Sequence, residues 1–224
     1  MQLADFRFRG ANISARLITI PVGPLQANCH FIYDSEAGAG FIIDPGGDAG
    51  EIIEAVAGAG IKLAAILITH GHPDHLGATA AVARATGAPV YGSEEAEAVL
   101  ASPDKYNLFP GLPSVEPAKV DHVITADEDL TIAGIGVRAI ATPGHTSGSI
   151  TFRAIDGLFC GDLLFRGSVG RTDLPGGSFD QLAASVRRLI LLYPPETAVY
   201  PGHGGATTLR HEQEKNPFLT DLGW

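Results

Sequence analysis

Residues 69–75 have the sequence THGHPDH, which is the most informative stretch of this chain. Three imidazoles and one carboxylate fall within six consecutive residues, at the end of a nearly all-apolar run over residues 63–69. Such a run predicts a strand buried on both faces. Imidazoles and carboxylates crowded at its C-terminal end are typical of a metal site, and they suit Zn²⁺, Mn²⁺ or Fe²⁺.

The spacing within this stretch predicts two neighbouring metal ions. His70 and His72, two residues apart in extended backbone, can face one metal. Asp74 and His75 lie where a helix is predicted to begin, so they point elsewhere and can reach a second metal. Two divalent metals about 3.5–4 Å apart repel each other and need a bridging carboxylate. A metal pair of this kind predicts hydrolysis.

Further candidate ligands follow three other predicted strands. His145 lies in TPGHT, Asp162 in CGDL and His203 in PGHG. Glycine flanks each of them, so the backbone can turn sharply and bring ligands together from several strand ends. Asp162 is the candidate for the bridging carboxylate.

The remaining sequence predicts alternating strands and helices. Patterns of β-branched and amphipathic residues predict strands at 15–22, 29–33, 40–44, 63–69, 88–91, 120–125, 135–141, 149–155, 158–160 and 198–200, and helices at 48–57, 76–86, 93–100 and 178–192. Residues 102–119, rich in Pro and Gly, predict a long surface loop. Strands and then helices, twice over, indicate two packed sheets with helices outside. No composition break marks a linker, so residues 1–224 are expected to form a single domain.

Composition narrows the function classes. The chain has 15 Lys and Arg against 25 Asp and Glu, a net charge of −10. This charge disfavours nucleic acid or an anionic membrane as a partner. Two distant cysteines, no apolar N-terminal segment and no apolar run of about 18 residues predict a cytoplasmic protein without disulfides. The sequence leaves the oligomeric state open.

In this order, THGHPDH, TPGHTSGS, CGDLLF and PGHG resemble the metallo-β-lactamase superfamily over residues 15–215. The resemblance implies an α/β fold, a four-layer αββα sandwich of two mixed β-sheets with the site at one edge. It implies one metal held by His70, His72 and His145. It implies a second metal held by Asp74, His75 and His203, with Asp162 bridging the two.

Within that superfamily, the segments GRTDLPGGS (170–178) and NPFL (216–219) resemble the short glyoxalase II-like hydrolases. The resemblance implies hydrolysis of thioesters such as S-lactoylglutathione, with two divalent metals, most simply Zn²⁺, and Fe²⁺ or Mn²⁺ as alternatives. Long members of that group carry a Lys-Phe-Tyr segment where this chain has Arg171-Thr172-Asp173, and a basic helical domain after the NPF segment. Arg171 and Lys215 are therefore the candidate contacts for substrate carboxylates.

The predicted chemistry is attack of a metal-bound hydroxide on a thioester or ester carbonyl. Asp74 and Asp162 are predicted catalytic residues as well as ligands. Together with the hydroxide they reduce the charge of two metals to roughly +1, which favours a developing oxyanion. Alternatives on the same scaffold are a lactone or other ester hydrolase, a β-lactamase, a non-catalytic metal-binding module, and a persulfide dioxygenase. The last would use one iron held by His70, His145 and Asp162.

Several other residues receive structural interpretations. His30, His122 and His211 match no ligand segment and are expected to be structural or superficial. Asp44 is expected to support the ligand loop, and Cys160 to pack in the core. Tyr106 and Phe109, in the predicted surface loop, are expected to line the site.

Overall fold

The computed structural model describes residues 3–5, 14–106 and 114–220. Its strands are β1 Leu3–Asp5, β2 Ala15–Val22, β3 Ala27–Asp34, β4 Ala39–Ile43, β5 Lys62–Leu67, β6 Val90–Ser93, β7 His122–Ile124, β8 Glu128–Ile132, β9 Ile135–Ala141, β10 Ile150–Ala154, β11 Gly157–Gly161, β12 Leu164–Phe165, β13 Ser168–Val169, β14 Ala198–Pro201 and β15 Thr207–Thr208. Its helices are α1 Ala49–Gly58, α2 Pro73–Leu76, α3 Thr79–Thr86, α4 Glu94–Ala101, α5 Phe179–Leu192, α6 Leu209–Lys215 and α7 Pro217–Thr220, with a 3₁₀ turn at Pro103–Tyr106.

The strands form two mixed sheets. The first has the order β1-β2-β3-β4-β5-β6-β7, antiparallel from β1 to β4 and parallel from β4 to β7. The second has the order β15-β14-β11-β10-β9-β8, in which only β11 and β14 are parallel. The predicted pair of mixed sheets is confirmed.

Three apolar clusters show how the layers pack. One joins α1, α3 and α4 to the outer face of the first sheet, one lies between the sheets, and one joins α5 to the outer face of the second sheet. Side chains of β4 alternate, so Ile42 faces the helices whereas Phe41 and Ile43 face the second sheet. Three interfaces between four layers give the predicted αββα sandwich.

The structure corrects several predicted boundaries. The helix predicted at 76–86 begins only at Thr79, as α3, and Leu76 instead ends the short helix α2. The chain turns between them at Gly77-Ala78, where the Ala78 amide donates to the Pro45 carbonyl at 2.8 Å. The strand predicted at 120–125 shortens to β7. The predictions omitted β1, β8, the β12–β13 hairpin, β15, α6 and α7, most of which are too short for a recognisable period.

The predicted surface loop is described only in part. It contains the 3₁₀ turn, in which Tyr106 is 42% exposed. Phe109 lies outside the described residues, so its expected place at the site stays a prediction. Among the described residues, no helix has the length and apolar character needed to span a membrane.

His30, expected to be structural, is buried in β3 between the side chain of Thr19 (2.9 Å) and the carbonyl of Pro201 (3.3 Å). Burial lowers the pKa of His30 from 6.5 to about 4. As the pH falls, the unfolded chain takes up a proton near pH 6.5, whereas His30 in the folded chain takes one up only near pH 4. The stabilising contribution of the neutral His30 ring is therefore complete above pH 6.5 and is lost as the pH falls towards 4.

We therefore expect the wild type to be more stable than His30→Gln at neutral pH by an amount that decreases in acid, because the Gln side chain does not titrate. The difference in free energy of unfolding should shrink by about 3 kcal/mol between pH 7.5 and pH 4, at about 1.4 kcal/mol per pKa unit. Urea unfolding across this range measures it. A difference that does not vary with pH would show that His30 titrates normally.

Candidate metal centre

The candidate site lies where strand ends from both sheets meet. THGHPDH follows β5 of the first sheet. His145 follows β9, Asp162 follows β11, and His203 follows β14 of the second sheet. The structure thus brings together every predicted ligand, from segments far apart in the sequence.

The first cluster consists of His70, His72 and His145. Nδ1 of His72 lies 3.1 Å from Nε2 of His70 and 2.9 Å from Nε2 of His145. One nitrogen from each ring lies within 4.8 Å of the others, a spacing at which they could hold a metal ion. His70 and His145 are buried, so the rings meet in a sheltered environment.

The second cluster consists of Asp74, His75 and His203. Nε2 of His203 lies 3.1 Å from Oδ2 of Asp74 and 3.3 Å from Nε2 of His75. Nε2 of His75 is 3.5 Å from the same carboxylate oxygen. This group also satisfies the spacing for one metal ion.

Asp162 lies between the two clusters. Its Oδ2 is 3.7 Å from Nε2 of His145 in the first cluster and 3.7 Å from Nε2 of His203 in the second. Its Oδ1 is buried 3.3 Å from Nε2 of His75, and no described residue donates a hydrogen bond to it. A buried carboxylate oxygen without a donor is costly unless a cation binds it. The donor set therefore fits divalent metals on both sides of Asp162.

Asp44 fixes the orientation of two of these imidazoles. It accepts hydrogen bonds from the Thr69 amide (2.8 Å), the Thr69 hydroxyl (2.6 Å) and Nδ1 of His75 (2.9 Å). The Thr69 hydroxyl in turn lies 3.0 Å from Nδ1 of His70. With each Nδ1 occupied, Nε2 of both rings is left for the site. Asp44 itself has φ 55°, a strained conformation for a residue with a side chain.

The pKa shifts differ between the two clusters. Burial and the neighbouring histidines lower the pKa of His70, and the same causes lower that of His72 to about 4. Burial by itself would raise the pKa of Asp74, but the hydrogen bond from His203 and the charge of His75 lower it to about 2. His70, His72 and Asp74 are thus held as neutral imidazole or ionised carboxylate, the forms that bind metals. In the second cluster the hydrogen bond to Asp74 raises the pKa of His203, and Asp162 raises that of His75 against the effect of burial, so a metal bound there would displace protons.

The side chains of Arg171 and Lys215, predicted to contact substrate, both lie at the surface. The Arg171 guanidinium pairs with Asp173 through contacts of 2.7 and 2.8 Å at the surface, and Lys215 lies exposed in the last turn of α6. The part of Arg171 that reaches the site is its carbonyl oxygen, which lies 2.8 Å from Nδ1 of His145. Substrate binding by either side chain stays a prediction.

The other interpretations agree with the structure. Cys160 is buried against the α5 layer, and burial raises the pKa of its thiol to about 12, so it stays protonated and unreactive. His122 pairs with Glu128 at 2.8 Å, away from the clusters. His211 lies at the partly exposed start of α6.

Sequence reasoning missed Asn28, which holds the His203 loop. Its side-chain amide donates to the carbonyls of Pro201 and Gly204, both at 2.9 Å, and its backbone amide donates to Gly202 at 2.7 Å. An Asn inside a strand pattern carries no local signal of such a role, because the loop it holds lies more than 170 residues away.

We expect Asn28→Ala to lower the free energy of unfolding by about 2 kcal/mol, since it removes two hydrogen bonds that hold the His203 loop, one of them buried. Urea unfolding of the metal-free chain measures this loss. Gln26→Ala removes an exposed amide whose bond to Gly23 is local, and should cost under about 0.5 kcal/mol. Equal effects of the two substitutions would contradict the assigned role of Asn28.

Comparison with known proteins agrees with this architecture. The family model described as the metallo-beta-lactamase superfamily matches residues 22–203. The chain belongs to the metallo-beta-lactamase superfamily.

Two curated relatives are similar over most of their length. The probable metallo-hydrolase YqgX of Bacillus subtilis is 37% identical over 204 residues, covering 89% of this chain and 95% of the relative. The hydroxyacylglutathione hydrolase GloC of Haemophilus influenzae is 37% identical over 205 residues, covering 89% and 96%. A metal-dependent hydrolase is the activity class these relatives support.

Two solved structures share the fold. The crystal structure of BLEG-1 B3 metallo-beta-lactamase has a TM-score of 0.86 and 38% identity, covering 91% of this chain and 99% of that one. The structure of TTHA1623 in a di-iron-bound form has a TM-score of 0.80 and 36% identity, covering 90% and 100%. GloC and BLEG-1 are almost equally similar to this chain, at 37% and 38% identity, yet their names refer to different substrates. Sequence identity alone therefore does not select the substrate.

Proposed function

We propose that this chain is a dinuclear metal-dependent hydrolase that cleaves thioesters of the S-lactoylglutathione type. The position of Asp162 carries the proposal, because its two oxygens face both clusters and one of them is buried without a donor. A single-metal enzyme would not need Asp74, His75 and His203 gathered beside the first cluster. The relative named hydroxyacylglutathione hydrolase supports the choice of substrate.

The proposed ligands are those predicted from the sequence. His70, His72 and His145 would hold the first metal, Asp74, His75 and His203 would hold the second, and Asp162, which lies between the clusters, would be shared by both. Zn²⁺ suits this mixture of imidazole and carboxylate. Fe²⁺ or Mn²⁺ suits it as well, and the similar structure in a di-iron-bound form keeps iron among the candidates.

Two metals bound there would lower the pKa of a water towards neutrality and polarise the carbonyl of the substrate. The chain's own residues prepare the site for this chemistry. Asp44 and the Arg171 carbonyl keep His75 and His145 turned with Nε2 inward. Asp74 and Asp162 supply negative charge that offsets part of the metal charge.

The leaving group favours thioesters over amides. A thiolate leaves without a proton, because the pKa of an ordinary thiol is about 8.5. An amine leaving group must be protonated by a general acid. The Cys160 thiol is buried and donates to the Leu164 carbonyl, and its pKa is raised to about 12, so it is not offered to a substrate as a general acid.

A β-lactam hydrolase is the second candidate, because the structure named BLEG-1 B3 metallo-beta-lactamase is 38% identical to this chain. Lactones and simple esters are further candidates on the same site. A persulfide dioxygenase would need only His70, His145 and Asp162 on one iron, which leaves the second cluster without a role.

One experiment separates these functions. The purified chain is analysed for metals by mass spectrometry, then offered S-lactoylglutathione, a cephalosporin, a lactone and glutathione persulfide. We expect two metals per chain and thiol release from S-lactoylglutathione, abolished by a chelator and restored by Zn²⁺. Oxygen uptake with the persulfide and one iron per chain would refute the proposal, as would a preference for the β-lactam.

A further inference from the structure

Glu95 joins two loops that carry ligands of the first cluster, although it is not itself a ligand. It lies in the first turn of α4, half-buried, on the helix that packs against the first sheet. Its Oε2 accepts a hydrogen bond from the Thr146 hydroxyl at 2.5 Å and another from the Gly148 amide at 2.9 Å. Both donors belong to the loop that begins with His145.

The same side chain packs against the loop of the other two ligands. Gly71 separates His70 from His72, and a Cβ placed on Gly71 would lie 3.3 Å from Cγ of Glu95 and 3.5 Å from its Cδ. On the other side, a Cβ on Gly148 would lie only 2.5 Å from Cβ of Glu95. Both loops therefore approach Glu95 through glycines, which allows close contact.

The His145 loop consists of turns and bends. Gly144 has φ 144°, and residues 146–149 form a turn in which the Thr146 amide donates to the Ser149 hydroxyl at 3.2 Å. Bonds to an ionised carboxylate are roughly twice as strong as bonds between neutral groups. The carboxylate of Glu95 is thus the strongest acceptor that the described residues offer to this turn.

We propose that Glu95 is a positioning residue for the first metal, setting the separation between His145 and the His70–His72 pair. The inference rests on the proposed metal site. Capping of α4 is already provided by Ser93, whose hydroxyl accepts from the Ala96 amide at 3.3 Å. Glu94, in the same helical turn but exposed, offers the same charge to the helix without the loop contacts.

The test measures Zn²⁺ affinity by chelator competition in two backgrounds of the full chain. In His203→Ala only the first cluster is complete, and in His72→Ala only the second is. Glu95→Ala should weaken Zn²⁺ binding by about 10–100-fold in the His203→Ala background, the usual effect of losing a group that orients a ligand. It should leave binding in the His72→Ala background unchanged.

Two further variants sharpen the test. Glu95→Gln should restore part of the affinity, because its amide oxygen can accept both bonds, though more weakly than a carboxylate. Glu94→Ala, the matched control, should bind Zn²⁺ as the parent does. Equal weakening at both clusters with a lowered Tm would assign Glu95 a structural role only, and unchanged affinity in Glu95→Ala would also overturn the proposal.

Failure of the proposed function can be distinguished from failure of the Glu95 proposal, because the first is measured by turnover and the second by Zn²⁺ affinity. If the wild type binds Zn²⁺ but hydrolyses no thioester, the activity is wrong while Glu95 is still judged by affinity alone. A wild type that binds no metal overturns both.

Discussion

Replacement of Asp162 with alanine is expected to cost the protein both metals and to lower kcat/KM by more than about 100-fold. Loss of a group that merely orients a ligand typically costs 10–100-fold, and Asp162 faces His75, His145 and His203 directly at 3.3–3.7 Å. Without its charge, less negative charge would offset the repulsion between two divalent ions. Metal content by mass spectrometry and thioester turnover give the two measurements.

Two further variants serve as controls for Asp162→Ala. His203→Ala removes a ligand of the second cluster alone, so it should lose mainly the second metal. Asp129→Ala removes a surface carboxylate that is 75% exposed and pairs with Arg138, so metal content and turnover should stay as in the wild type. If Asp162→Ala retained both metals, the bridging assignment would be wrong.

Replacement of Gly46 with alanine is expected to have the second large effect. A Cβ at Gly46 would lie 1.5 Å from the carbonyl oxygen of Asp74 and 2.4 Å from its carbonyl carbon. The obstacle is backbone, so a change of rotamer cannot relieve it, and α2 must move away with Asp74 and His75. We expect a loss of more than about 3 kcal/mol in free energy of unfolding, beyond the usual range for overpacking, together with loss of the second metal.

Gly50 provides the matched control. It lies in the first turn of α1, and a Cβ there would have no heavy atom within 4 Å. Gly50→Ala should therefore stabilise the protein by about 0.5–1 kcal/mol, because alanine loses less backbone entropy in a helix. Urea unfolding and metal analysis of both variants measure the contrast. A Gly46→Ala protein with normal stability and two metals would show that α2 can shift freely.

Much of the fold could be predicted because the sequence patterns that indicate strands and helices extend over only a few neighbouring residues. The apolar run of β5 and the amphipathic pattern of α5 each report burial within a few residues. The two-sheet sandwich followed from the order of such segments together with the resemblance. Short elements escaped prediction, since β15 has two residues and α7 has four, too few to show a period.

The candidate ligands could be predicted for a similar reason. Histidines and aspartates beside glycines at strand ends are recognisable by residue type and spacing, whatever the remainder of the chain does. The ligand assignment itself stays a prediction that metal analysis must test. The structure adds the observation that the chosen side chains converge.

The support of the site was decided only by the tertiary structure. The sequence pointed to the guanidinium of Arg171, whose contact with substrate stays a prediction, whereas the structure shows the Arg171 carbonyl 2.8 Å from Nδ1 of His145. Every residue has a carbonyl, so no sequence pattern marks the one that will orient a ligand. Asn28 and Glu95 act across 176 and 53 residues of sequence respectively. Residue types thus determined the chemistry available to this chain, whereas long-range packing determined which groups hold the ligands in place.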